Sequence, residues 1–224
     1  MINLNMDLGN LHLNENAQYL SNFIDNPSQF ITWQDVEFCM NNPVLYGLEL
    51  INHESFKLPH SANDLAREKR FLFDAVHDSM GMVITKYDHY NAKTKELCDF
   101  FERMFDVNAS IHVYCGLKAA TSFKIHCDFP TNFIIQVEGE CRWKVYGNRM
   151  SNLIDFHNAH HPIVDENDLE TIIDVVLKPG DGLYIPPRQY HCAFPSDKRI
   201  SMSIPCWGRS KFDRPRFDRN TYST

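Results

Sequence analysis

From Ser110 onward the chain breaks into short β-prone segments, SIHVYCG, SFKIHCD, NFIIQV, CRWKVY, TIIDVVL, GLYIP, YHCAF and RISMSIP, with turn residues between them. Short strands in close succession point to a β-sandwich or a small barrel. Val137-Glu138-Gly139-Glu140 is predicted to be a tight hairpin link, and Lys178-Pro179-Gly180-Asp181 another turn. Between these segments IDFHNAHHPIVDEND, from Ile154 to Asp168, is polar and irregular, and reads as an insert or lid.

The first eighty residues have a different texture. Thr32 followed by Asp35 is a capping signal for a helix over WQDVEFCM, which Asn42-Pro43 stops. VLYGLELI reads as a strand. ANDLAREKRFLFDAVHDSM places Leu65, Leu72, Ala75, Val76 and Met80 at helical spacing and ends at Gly81. After a further strand, MVITKY, the segment AKTKELCDFFERMF carries an apolar stripe of Leu97, Phe100, Phe101, Met104 and Phe105, read as core packing. The expected division is therefore a mixed helical annex over residues 1–80, a β-rich domain over 81–208 and a basic tail over 209–224. That tail has five basic residues against two acidic ones.

Composition excludes more than it assigns. A chain of 224 residues suits one domain with a sizeable core. Its net charge of −7 argues against binding nucleic acid over the whole surface. Seven scattered cysteines, never spaced as CxxC, read as reduced core thiols of a cytoplasmic protein. No apolar run reaches the roughly 18 residues of a membrane span, and MINLNMDLGNLHLNEN lacks the layout of a signal peptide.

The chemistry concentrates in three residues. His126 and Asp128 are two apart in a segment that reads as a strand, where residues i and i+2 share a face. His191, 65 residues after His126, lies in another such segment. Two imidazoles and one carboxylate bind one face of a metal and leave positions open, a set diagnostic of non-heme Fe(II) oxygenases. A second cluster, His157, His160 and His161 with Asp155, could bind zinc, but without cysteine partners it is a weak signal and reads as a solvated loop.

FKIHCDFPTNFIIQVEGECRWKV and LKPGDGLYIPPRQYHCAFP carry HxD, NFIIQ, GxxRW and PGDxLYIPxxxxH in order. In this the chain resembles the JmjC branch of the cupin-fold Fe(II)/2-oxoglutarate oxygenases. The resemblance is greatest to its hydroxylases, which include bacterial ribosomal-protein hydroxylases and the asparaginyl hydroxylase of hypoxia-inducible factor. It implies an α+β protein, mainly β, with a double-stranded β-helix (jelly-roll) core. It further implies that His126, Asp128 and His191 hold Fe(II), and that 2-oxoglutarate is the cosubstrate, converted to succinate and CO2 as the substrate is hydroxylated. Protein or peptide side chains are the implied substrate, with a small molecule or tRNA as alternatives; similar hydroxylases commonly form homodimers.

One position departs from the pattern. Relatives place a Lys or Arg fifteen residues after the first histidine to bind the far carboxylate of 2-oxoglutarate, and here that residue is Cys141. A thiol does not replace a charge-assisted bond. Candidate cations are Arg199, whose Arg-x-Ser pairing with Ser201 resembles an anchor of other 2-oxoglutarate oxygenases, and Lys124, two residues before His126. Arg142 and Lys144 are disfavoured because alternation puts them on the face opposite Cys141. Asn132 and Tyr114 are expected to contact the cosubstrate, His112 shares the face of Tyr114, and Trp143 reads as packing. The alternatives are a cupin-type metalloenzyme that does not use 2-oxoglutarate, and a non-catalytic module that kept the fold. The intact triad favours an enzyme; Cys141 favours the module.

Overall fold

The computed structural model describes residues 15–52, 61–120, 122–151 and 164–208, together with residues 4, 5, 8, 11 and 58. The His157/His160/His161 cluster and the basic tail lie outside the described residues. In chain order the elements are β1 (Gln18–Leu20), α1 (Trp33–Asn41), β2 (Leu48–Ile51), α2 (Ala62–Arg67), α3 (Lys69–His77), β3 (Gly81–Ile84) and α4 (Ala92–Phe105). They continue as β4 (Val107–Ala109), β5 (His112–Gly116), β6 (Thr131–Glu138), β7 (Cys141–Arg149), β8 (Thr171–Leu177), β9 (Gly182–Ile185), β10 (Gln189–Pro195) and β11 (Arg199–Gly208). No helix among the described residues is long and apolar enough to cross a membrane.

Two antiparallel sheets result. The larger runs β1-β9-β6-β11-β5-β3-β2, with β4 also paired to β11, and the smaller runs β10-β7-β8. A reciprocal pair between His126 and His191 adds the segment around His126 to the free side of β10. With that segment counted, the chain from β5 runs larger, smaller, larger (β6), smaller (β7), then smaller (β8), larger (β9), smaller (β10) and larger (β11), the order of a double-stranded β-helix.

Alternation along the strands separates two interiors. On β11, Ile200, Met202, Ile204 and Cys206 join an apolar cluster with Leu72, Val76, Leu97 and Phe101 of the helices. On β6, Phe133, Ile135 and Val137 do the same, whereas Ile134 faces the other way and packs with Leu183, Ile185, Cys141, Trp143 and Val145 between the sheets. The first eight residues of β11 are all buried. Its other face, Arg199, Ser201 and Ser203, therefore brings polar groups into the space between the sheets.

Four local expectations need correction. The helix predicted over ANDLAREKRFLFDAVHDSM is two helices, because Glu68 leaves helical geometry at φ −109°, ψ 52°. Nothing in the apolar spacing marks that break. VLYGLELI is extended only from Leu48, since Leu45 bonds back to Asn42 in a turn and Gly47 adopts φ +52°. SFKIHCD is not a strand; it makes the single reciprocal pair at His126 before the chain bends away at Phe129-Pro130. Finally, Gly139-Glu140 is a crossover, not a hairpin: β6 pairs with β9 and β11, and β7 with β8 and β10. Gly139, at φ +67°, allows it, and any Cβ there would lie 2.1 Å from the Lys198 carbonyl oxygen.

Candidate metal centre

His126 and His191 are brought together by backbone pairing. The His126 N–H donates to the His191 carbonyl at 3.1 Å, and the His191 N–H returns the bond at 2.8 Å. The backbone also selects the ring nitrogen that faces inward. His126 Nδ1 lies 2.8 Å from the Lys124 carbonyl oxygen, and His191 Nδ1 lies 2.9 Å from the Gln189 carbonyl oxygen. A carbonyl only accepts, so each Nδ1 carries the proton and each Nε2 keeps its lone pair. Asp128 completes the set, its Oδ2 3.6 Å from His191 Nε2. The three ligand atoms lie within 4.8 Å of one another. Two neutral imidazoles and a carboxylate, held from one side, fit a divalent transition metal with positions left open.

Supporting residues reach the carboxylate from the larger sheet. Asn132 Nδ2 donates to Asp128 Oδ2 at 3.0 Å, and the Ser203 hydroxyl donates to Asn132 Oδ1 at 2.7 Å. The Arg188 N–H holds the Asp128 carbonyl at 2.6 Å. Such partners orient a metal ligand. The Trp143 ring stacks on His191 with centroids 6.1 Å apart.

The triad opens into a cavity, part of it open to solvent, whose walls include Tyr114, Phe123, Asn132, Ile134, Trp143 and Arg199. Arg199 is 3% exposed. Its Nη1 donates to the Tyr114 carbonyl at 3.3 Å and to Ser201 Oγ at 3.2 Å, and the Ser201 hydroxyl passes a bond of 2.8 Å to Gln136 Oε1. Both acceptors on Arg199 are neutral, and no carboxylate pairs with it among the described residues. Cys141 is fully buried on the inward face of β7. Burial raises its thiol pKa, and the charge of Arg199 opposes that shift, so the cation and the thiol share one neighbourhood. Burial, then the charges of Asp128 and Glu49, raise the Tyr114 pKa against the pull of Arg199, and its phenol stays protonated.

The predicted site residues divide accordingly. His126, Asp128, His191, Asn132, Tyr114 and Arg199 all line the one cavity. Ser201 sits beneath Arg199 and touches it. Lys124 is exposed and outside the lining; it contributes its carbonyl oxygen rather than its ammonium. Arg142 and Lys144 lie on the outer face, paired with Asp174 and Glu166. His112 is near Ser110, with Nε2 3.4 Å from that hydroxyl. Sequence reasoning passed over Gln136 and Ser203, although each alternates in phase with a residue it did select.

Known proteins share this architecture. The structure of YcfD, a ribosomal oxygenase from Escherichia coli, in complex with cobalt and 2-oxoglutarate superposes with a TM-score of 0.70 at 19% identity, covering 95% of this chain and 54% of that one. Its complex with cobalt and succinic acid gives 0.64. At that identity the likeness shows the fold alone. In sequence, the chain is 28% identical over 127 residues to the bifunctional lysine-specific demethylase and histidyl-hydroxylase NO66 of Drosophila mojavensis. It is 29% identical over 109 residues to that of Dictyostelium discoideum. The matches cover 57% and 48% of this chain, but the chain spans only 14% and 21% of those relatives' lengths. A model of the JmjC domain matches residues 85–211, more than half of the chain and the whole of the site just described. The protein belongs to the JmjC domain family.

Proposed function

We propose that the protein is an Fe(II)- and 2-oxoglutarate-dependent oxygenase that hydroxylates a protein or peptide side chain. One observation carries this reading: a two-histidine, one-carboxylate set and a buried arginine facing no carboxylate open into the same cavity. His126, Asp128 and His191 hold the metal through atoms that their backbone contacts have already oriented. When bound, iron supplies the oxidising chemistry by coupling decarboxylation of 2-oxoglutarate to oxygen reduction.

The rest is done by the chain's own groups. Arg199 receives the far carboxylate of the cosubstrate in place of the cation absent at Cys141, with Ser201 and Gln136 holding its guanidinium in position. Asn132 keeps Asp128 aimed at the metal, and the protonated Tyr114 is a hydroxyl donor on the same wall. Trp143, Phe123 and Ile134 make the cavity apolar around these groups, which strengthens each electrostatic contact. The names of the relatives, a histidyl-hydroxylase and a ribosomal oxygenase, support a protein substrate. Residues 81–208 are proposed as the catalytic unit, with the described residues before Gly81, such as Phe30, Leu48, Leu65 and Leu72, sharing its apolar core. Seven unpaired, buried cysteines fit a reducing compartment such as the cytoplasm.

The test is an anaerobic titration of Fe(II)-loaded protein with 2-oxoglutarate, following the absorbance that develops when a 2-oxo acid chelates the metal. Saturable binding that is absent in His126→Ala is expected. Iron retained without 2-oxoglutarate binding would move the protein to cupin metalloenzymes with another ligand.

A further inference from the structure

Two N–H groups on residues that line the cavity are buried and unanswered. Arg199 Nε and Trp143 Nε1 have no hydrogen-bond acceptor among the described residues. Their side chains belong to residues 3% and 8% exposed, and both line the cavity. They come from opposite sheets, Arg199 from β11 and Trp143 from β7, two positions along the inward face from Cys141. An N–H buried without a partner costs free energy, and a native structure that keeps one calls for an explanation at that spot. Stacking against His191 explains the ring of Trp143. It does not explain an indole, because a phenyl ring stacks without burying a donor.

We infer that Trp143 is the second arm of a carboxylate clamp: its indole N–H donates to the far carboxylate of the 2-oxo diacid whose charge Arg199 neutralises. The inference rests on the proposed use of 2-oxoglutarate. An indole N–H only donates and carries no charge. Beside a guanidinium it favours a group with two adjacent acceptor oxygens, which a carboxylate presents. Trp143 is thus a specificity-determining residue that discriminates the diacid from a 2-oxo monoacid of the same length. On this view Cys141 is the small side chain beside a clamp assembled from its neighbours.

The experiment uses the full chain loaded with Zn(II), which is diamagnetic and redox-silent, and 15N-labelled at its three tryptophans, Trp33, Trp143 and Trp207. Trp143→Phe assigns the indole signal; should that variant not fold, Trp33→Phe and Trp207→Phe assign it by elimination. 2-Oxoglutarate is compared with 2-oxopentanoate, which has the same carbon chain without the second carboxylate. The Trp143 N–H signal is expected to move with 2-oxoglutarate and stay put with 2-oxopentanoate. Trp143→Phe should weaken 2-oxoglutarate about tenfold, the loss of one hydrogen bond to a charged group, and leave 2-oxopentanoate within about threefold. An unmoved signal at saturating 2-oxoglutarate, or equal weakening of both acids, overturns the clamp while the cosubstrate reading stands. Failure of the wild-type protein to bind 2-oxoglutarate at all overturns both.

Discussion

Replacing Arg199 by Met should weaken ligand binding strongly while leaving the ligand-free fold nearly as stable as before. The guanidinium is 3% exposed and has only two neutral acceptors, at 3.3 and 3.2 Å. Holding a cation there without a counter-charge costs several kcal/mol of desolvation. Two ordinary hydrogen bonds return about 0.5–1.5 kcal/mol each, so they do not offset it. Met has similar length and no charge, and Ser201 keeps its bond to Gln136. The melting temperature of the ligand-free variant should therefore lie no more than about 3 °C below wild type, at roughly 2–4 °C per kcal/mol for a chain of this size. Those losses follow from charge-assisted bonds worth about 1.5–3 kcal/mol each. A carboxylate that loses about 2–4 kcal/mol binds roughly 30- to 700-fold more weakly. Calorimetry with Mn(II) and 2-oxoglutarate measures the second effect, and thermal melts without ligand measure the first. Adding Cys141→Lys to Arg199→Met should recover at least about tenfold, since it puts a cation back into the same neighbourhood from the other sheet. A ligand-free melting temperature about 8 °C or more below wild type, with affinity kept within about threefold, would show that Arg199 serves the core and not a ligand.

Other expectations follow from single contacts. Asn132→Ala removes the donor to Asp128 Oδ2, so metal affinity should fall about 10- to 100-fold in competition with a chelating dye; a fall under about threefold would contradict the role. Gly139→Ala puts a Cβ 2.1 Å from the Lys198 carbonyl oxygen at φ +67° and should cost about 2–4 kcal/mol, read from urea unfolding; a neutral result would mean that the crossover is free to relax. Burial pushes the thiols of Cys39, Cys115, Cys127 and Cys192 up to about 12. At pH 8 about one such thiol in ten thousand is ionised, so the folded protein should resist a disulfide reagent that titrates all seven after denaturation. Unfolding lets these thiols ionise near 9, so stability should decline as pH rises above that value towards 12; a flat alkaline arm would contradict their burial.

The strands were legible because short apolar segments between turn residues have few other uses, and TIIDVVL, GLYIP and RISMSIP fall where β8, β9 and β11 lie. What could not be read was partnership. Gly139-Glu140 has the composition of a hairpin, yet the strands on either side of it belong to different sheets. That assignment depends on pairings such as Ile134 with Leu183, which are far apart in sequence. The metal ligands were legible for a reason other than the one used. His126 and Asp128 do converge, but through a single pair with β10 and a bend, not through a regular strand. Alternation along β11 picked out Arg199 and Ser201, and carried two residues further it reaches Ser203, which orders Asn132. Trp143 read as packing because a ring in an apolar strand always does; its unanswered N–H exists only in three dimensions.

The space between the two sheets is lined from both sides, by β7 and β10 on one hand and β6 and β11 on the other. A charge delivered into that volume has no fixed address in the chain. A cation rooted on β7 and one rooted on β11 can end at the same point, because the strands that carry them face each other across one side-chain layer. Any search for relatives that demands a basic residue in the column of Cys141 would discard this protein. The quantity to compare between members of such a family is what reaches the chamber, not which rung of the ladder supplies it.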